Sequence, residues 1–199
     1  MKFRSFSVLA TALIAAATLF SVAQNALAQE APRVKFATTA GDFVVEVYPD
    51  KAPKTVENFL QYVKDKHYDG TLFHRVIENF MVQGGGFDAQ FNQKKTRAPV
   101  AHEGREALAK GGPKNVVGTL AMARTNDPNS ATAQFFINVK DNAFLDPTVQ
   151  QFGYTVFGKI VSGMEVVQKI KTTHTGAGGP FPSDVPKTSI LINSATLVK

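Results

Sequence analysis

Three kinds of side chain crowd together between Phe73 and Gly86. There is a cation at Arg75, an apolar pair at Phe80 and Met81, and a neutral amide at Gln83, followed by Gly84, Gly85 and Gly86. Read as strand, turn, strand, alternation puts Phe73, Arg75 and Ile77 on one face and His74 and Val76 on the other. An arginine that shares a face with Phe and Ile needs either a partner or a mouth onto solvent, because unpaired buried charge is costly. Phe80, Met81 and Gln83 cannot all lie on one face of a straight strand, so a bend or bulge is expected there.

The chemistry open to such residues is narrow. The chain has no cysteine, which removes Cys nucleophiles and zinc-thiolate sites. It has no Gly-x-Ser-x-Gly elbow, and His67, His74, His102 and His174 follow no compact metal-ligand spacing. The glycine triplet runs into Phe87-Asp88-Ala89 rather than Lys-Ser/Thr, so it does not read as a phosphate loop. What remains is a reaction that needs no nucleophile, metal or cofactor, and rotation about an X-Pro bond is one. The peptide barrier is ~18–20 kcal/mol, and uncatalysed X-Pro exchange takes tens to hundreds of seconds. Reaching milliseconds requires about 10⁴-fold, or roughly 5–6 kcal/mol. When the bond twists, the prolyl nitrogen regains a lone pair, and a donor placed there binds the twisted form and not the planar one. Arg75 suits that task because its donors are fixed in a fork and stay charged. Phe80, Met81 and Phe136 supply an apolar pocket for the ring, and Gln83 offers a donor and an acceptor to the substrate backbone. A groove that grips Pro-containing segments without turning them is the competing reading.

The run Phe73-His74-Arg75, then Phe80-Met81-x-Gln83-Gly84-Gly85, resembles the signature of the cyclophilins, a family of peptidyl-prolyl cis-trans isomerases. The resemblance extends from about Val34 to Val198 and includes Gln134-Phe135-Phe136. It implies a closed eight-stranded antiparallel barrel capped by two α-helices, a mainly β fold. It also implies Arg75 as the catalytic residue, with His74, Phe80, Met81 and Gln83 beside it in substrate binding. Leu120 to Arg124 matches the next motif strand, with Ala123 and Arg124 lining the groove largely through their backbone. Gln134 and Phe136 complete the pocket, and Phe144, Leu145 and Tyr154 form the rim. The rim departs from many eukaryotic members, which carry Trp where Phe144 stands, His where Tyr154 stands and Asn where Arg124 stands. Loss of the Trp donor implies weak cyclosporin binding. The implied partners are proline-containing peptides and unfolded or folding proteins, with no metal or cofactor, and a monomer is expected.

The elements that must position these residues can be read in order. Lys2 and Arg4, an apolar run from Val8 to Val22 and Ala26-Leu27-Ala28 form a secretory leader over residues 1–28. The run is about 15 residues, short of the ~20 a spanning helix needs. The expected destination is the periplasm, as a bacterial exported protein without stable membrane insertion after cleavage. One domain follows, residues 29–199. The formal net charge of +6 is scattered rather than gathered in a stripe with exposed aromatics, so nucleic acid is not an expected partner. Val34–Thr39 and Phe43–Tyr48 flank a Gly-containing turn and read as a hairpin. A helix from Pro53 to Lys66 carries a stripe of Val56, Phe59, Leu60 and Val63. Phe87 to Gly112 reads as a long surface connection. Val116–Ala123, Gln134–Val139 and Tyr154–Ile160 read as strands. Ser162 and Glu165 read as a capping box that opens a second helix with Met164, Val167 and Ile170. Gly176–Pro186 reads as a loop, and Ile190 to Val198 as closing strand.

Overall fold

The computed structural model describes residues 30–198, so the leader expected over residues 1–28 lies outside the described residues. In chain order the elements are β1 (Arg33–Thr38), β2 (Gly41–Val47), α1 (Pro53–Lys64), β3 (Thr71–Ile77) and β4 (Met81–Asp88). Then come α2 (Gly104–Ala109), β5 (Thr119–Met122), β6 (Phe135–Asn138) and a 3₁₀ turn at Ala143–Leu145. β7 (Val156–Ser162), α3 (Met164–Lys171), β8 (Thr175–Gly178), β9 (Phe181–Pro186) and β10 (Leu191–Val198) complete the fold. Eight strands close into an antiparallel barrel in the order β1-β10-β3-β4-β6-β5-β7-β2, as expected for a mainly β fold. Closure leaves this sheet no free edge.

Aromatic rings fill the barrel. Phe36 stacks on Phe43 with centroids 5.0 Å apart, and Phe135 meets Phe36 at 5.5 Å and Tyr68 at 5.5 Å. α1 inserts Phe59 among them, 5.0 Å from Phe157, and buries Thr55, Val56, Tyr62 and Val63 beside it. Leu60, expected in that stripe, is only partly buried. α3 adds Val167 and Ile170 to the same interior cluster.

Four expectations need correction. Among the described residues there are three α-helices rather than two, because the Phe87–Gly112 connection contains α2. Gly176–Pro186 is not a loop but the two-stranded β8–β9 hairpin, which packs on β3. No capping box opens α3. Ser162 is the last residue of β7, paired with Val44, and the helix starts from Gly163 at φ 81° with no side-chain cap. That φ favours glycine, and a Cβ there would also collide with the Asp42 carbonyl. Finally, the single strand expected at Val116–Ala123 is shortened to Thr119–Met122.

The long connection has a structural function that no local pattern reveals. Ala52 precedes α1 and offers no side-chain cap. The buried Glu103 carboxylate supplies one from 48 residues away: its oxygens accept from the Thr55 N–H at 2.8 Å, the Lys54 N–H at 3.1 Å and the Thr55 hydroxyl at 2.7 Å. A carboxylate at a helix N-terminus satisfies otherwise unpaired donors and suits the dipole. Replacing Glu103 by Ala should therefore destabilise the fold by about 2 kcal/mol. For a domain of this size that lowers Tm by about 4–8 °C. Glu103→Gln, which keeps one acceptor, should recover part of the loss in a thermal melt.

Candidate active site

One extra residue in β3 sets the geometry. Ile77 pairs with Met81, Val76 with Val82 and Arg75 with Gln83 in regular register, but Phe73 pairs with Gly84. β3 advances two residues there while β4 advances one, so β3 carries a bulge. The expected faces change accordingly. Phe73 and Val76 both belong to the barrel's interior cluster, whereas Arg75 is exposed on the outside and Ile77 packs against an outer apolar cluster. The mouth onto solvent that the charge requires is therefore present. The bend expected between Phe80 and Gln83 is not needed. Phe80 sits in the turn before β4, and Met81 and Gln83 share a face by plain alternation around the buried Val82.

Strand register then lines up the outer face. Arg75 on β3 neighbours Gln83 on β4, Gln83 neighbours Phe136 on β6, and Phe136 neighbours Ala121 on β5. Beside this row lies a groove of about 190 Å³, lined by Arg75, Phe80, Met81, Gln83, Ala123, Arg124, Phe136, Leu145 and Tyr154. That is below the ~300–1,000 Å³ of a drug-sized site, and suits one side chain with its flanking backbone. A hollow of about 300 Å³ beside α1 is larger, but it is lined by Lys54, Glu57, Gln61 and Arg97 among others and by none of the residues expected at the site.

The walls are held from behind. Gln83 Nε2 donates to Gln134 Oε1 at 2.9 Å, which fixes the amide at the groove floor. Gln134 reaches it across Gly86, where a Cβ would stand 2.5 Å from Gln134 Cγ. The glycine triplet thus serves close packing. Phe136 meets the Tyr154 ring edge-on at 5.4 Å, and the Arg124 guanidinium lies 4.6 Å from the Tyr154 centroid. Arg124 and Tyr154 thus meet, cation over ring, among the groove's lining residues. Phe144 is 65% exposed and stacks on Phe80 at 5.7 Å, on the outer side of the rim.

Of the twelve residues expected at a site, nine line this one groove. Phe144 and Gln134 touch lining residues without lining it. His74 points elsewhere: it is buried, its ring packed 4.7 Å from Phe87 and 5.3 Å from Phe181 of β9. Sequence reasoning missed a buried amide chain behind the groove. Asn142 Nδ2 donates to the Phe80 carbonyl at 2.9 Å and to Asn138 Oδ1 at 2.8 Å. Asn138 Nδ2 donates to Asn115 Oδ1 at 3.2 Å, and Asn115 Nδ2 donates to the Leu145 carbonyl at 3.2 Å. Two lining residues on opposite elements are thereby joined. These asparagines lie in strand, loop and turn with no shared period, so no pattern marks them.

Comparison with protein families matches residues 33–197 to the family described as "Cyclophilin type peptidyl-prolyl cis-trans isomerase/CLD". The chain is 51% identical over 167 residues to peptidyl-prolyl cis-trans isomerase B of Escherichia coli, covering 82% of this chain and 98% of that one. It is 49% identical over 166 residues to peptidyl-prolyl cis-trans isomerase A of Dickeya dadantii, covering 83% and 84%. A cyclophilin-type isomerase of Cryptosporidium parvum, crystallised in the presence of the dipeptide Ala-Pro, superposes with a TM-score of 0.66 at 24% identity. That superposition covers 84% of this chain and 99% of that one, and indicates the shared fold.

His74 generates a prediction of its own. Burial pushes its pKa down to about 4; the Leu72 backbone opposes the shift without forming a well-aligned bond, and the adjoining Arg75 charge adds to it. Its Nδ1 has no hydrogen-bond partner among the described residues. The unfolded chain, with His near 6.5, binds the proton more readily than the folded one. The stability linked to His74 is therefore complete above pH ~6.5 and lost as pH falls toward ~4, on the order of 3 kcal/mol. Urea denaturation at pH 7 and pH 4.5 should show the loss, and His74→Asn should flatten it if the variant folds. An NMR titration should place the His74 midpoint well below 6.5.

Proposed function

Because the chain belongs to the cyclophilin-type peptidyl-prolyl cis-trans isomerase family, we propose that Arg75 and the groove beside it turn X-Pro bonds in exported proteins. The chain is a peptidyl-prolyl cis-trans isomerase; where its chemistry resides and whom it serves are what we infer. One observation carries the reading. Arg75 lines the same groove as Met81, Phe136 and Gln83, yet among the described residues its guanidinium has neither an ion pair nor a hydrogen bond. Its donors are therefore uncommitted.

The prolyl ring enters between Phe136, Met81 and Leu145, where apolar contact favours it over a polar side chain. Gln83, oriented by Gln134, meets the flanking substrate backbone. As the C–N bond twists, the prolyl nitrogen pyramidalises and accepts from the Arg75 guanidinium. The planar amide offers no such acceptor, so this contact lowers the barrier rather than merely tightening binding. One preorganised donor contributes ~3–4 kcal/mol of the roughly 5–6 required. The remainder comes from gripping the ring in a partly dry groove while the far side of the bond rotates. That the Cryptosporidium relative was crystallised with Ala-Pro supports a minimal X-Pro unit as ligand.

For the setting we infer export and a periplasmic role in folding. The support is the leader read at residues 1–28 and the likeness to bacterial isomerases. No helix among the described residues is long and apolar enough to cross a membrane. The clients would be unfolded or folding proteins with accessible X-Pro bonds, bound by a monomer, with cyclosporin bound weakly because Phe144 lacks an indole donor.

Arg75→Ala should lower kcat/KM on an X-Pro peptide by about two orders of magnitude, the loss of one preorganised donor. Arg75→Lys should not restore it, because a point-charge ammonium lacks the fork. Turnover by Arg75→Ala at the parent rate, followed by NMR exchange, would sink the mechanism. Because Arg does not titrate and burial holds His74 near 4, the wild-type rate should vary little between about pH 6 and 9. A step near 6.5 would instead point to an imidazole acting as acid or base.

A further inference from the structure

The groove has a second arginine, and it is held quite differently from the first. Arg124 Nε and Nη2 donate to the Gly153 carbonyl at 3.1 and 2.8 Å, and Nη1 donates to the Thr125 carbonyl at 2.8 Å. Its guanidinium also lies 4.6 Å from the centroid of the Tyr154 ring. All these partners are neutral, so the guanidinium is fixed in place with its charge uncompensated. Gly153 is itself confined: at φ 61°, a Cβ would stand 2.5 Å from the Pro147 nitrogen.

The groove lining includes Arg75 and Arg124 and no carboxylate. Among the described residues neither arginine has an ion pair. Three acids lie close in sequence. Asp146, next to Leu145, is buried and accepts from the Asn115 N–H at 2.7 Å and the Asn115 amide at 3.0 Å. Asp127 accepts from the Asn129 N–H, and neither it nor Glu78 lines the groove. The outer face of the rim loop adds Arg105, which donates to the Thr148 and Val149 carbonyls. His102 approaches the same Gly153 carbonyl at 3.3 Å. Burial first, with the Arg124 and Arg105 charges, holds the His102 pKa below its ordinary value against the opposing Gly153 carbonyl and Glu106.

We propose that this pair of fixed guanidiniums makes the groove select substrates by charge, favouring X-Pro segments with a carboxylate side chain within about two residues of the proline and disfavouring Lys or Arg there. The inference rests on the groove being the isomerisation site. A peptide seated among these side chains brings its neighbouring residues within several ångströms of both cations, beneath the screening length of dilute buffer, ~10 Å at 0.1 M salt. Because Arg124 is already immobile, it loses no side-chain freedom when an anion arrives. Coulomb interaction at such range near a protein surface corresponds to roughly a three- to tenfold preference.

The test uses the wild-type chain and proline peptides carrying Glu, Gln or Lys at one of the two positions before or after the proline. On at least one side, kcat/KM by NMR exchange should rank Glu over Gln over Lys, each step roughly three- to tenfold at low salt. In 1 M NaCl, where the screening length is ~3 Å, the ranking should collapse. Arg124→Gln should shrink the Glu-to-Lys ratio and Arg124→Lys should keep most of it; if either fails to fold, the wild-type salt series decides alone. Equal values for Glu, Gln and Lys on both sides, or a ranking that ignores salt, would overturn the inference while leaving the isomerase site standing. Failure to isomerise even the Gln peptides would overturn the site reading and this inference with it.

Discussion

A straight β3 would place Phe73 and Arg75 on the same side, and Phe73 is in the filled interior of the barrel. A guanidinium in that position would be buried among aromatic rings without a partner, at a cost no neighbouring contact could offset. The bulge at His74 removes the conflict. It lets the strand keep Phe73 and Val76 inside while turning Arg75 to the outer face. The cost falls on His74, which is buried against Phe87 and Phe181 with an unpartnered ring nitrogen. The β8–β9 hairpin gains a structural reason from this, since Phe181 is what covers the displaced imidazole.

Once Arg75 faces outward, ladder register does the rest of the positioning. Four residues far apart in sequence, Arg75, Gln83, Phe136 and Ala121, become cross-strand neighbours through backbone hydrogen bonds of a closed sheet. Adjacent strands are ~4.8 Å apart, so the guanidinium and the far aromatic wall are separated by about the width of a peptide with its proline ring. The loop-borne walls could not match that precision alone. They are tied through Asn115, Asn138 and Asn142, whose amides link the Phe80 carbonyl to the Leu145 carbonyl. Such a buried network is worthwhile only if every member is satisfied.

What could be read from the chain alone follows from the range of the forces involved. Strong periodic elements were legible: the β1–β2 hairpin, the α1 stripe and the closing strand all stand near their expected places. Arg75, Phe80, Met81, Gln83 and Phe136 were legible from residue types that are chemically unusual together, whereas Ala123, Arg124, Leu145 and Tyr154 were expected only through the family resemblance. The errors arise where a distant partner decides. α3 opens on Gly163 because Ser162 is drawn into the pairing with β2, and the cap of α1, which no local pattern marks, comes from Glu103. The β8–β9 hairpin has little apolar alternation of its own, and it packs along β3, where Phe181 stacks on His74. Face assignment failed at His74 because alternation assumes a strand without bulges, and a bulge answers to the three-dimensional fit of the ladder.

The two groove arginines illustrate how one residue type is given separate tasks by its hydrogen bonds. Arg124 uses donors on Gly153 and Thr125 and lays its plane over Tyr154. Three of its five N–H donors are engaged there, and in the proposed reading Arg124 acts on a bound chain chiefly through its electrostatic field, which acts alike on planar and twisted amides. Arg75 has no such commitments among the described residues, and its fork can wait for an acceptor that exists only while the bond is turning. Uniform attraction shifts binding, and selective donation shifts the barrier. In the proposed mechanism, the carbonyls at Gly153 and Thr125, by engaging one guanidinium and leaving the other free, divide the two arginines between recognition and rate.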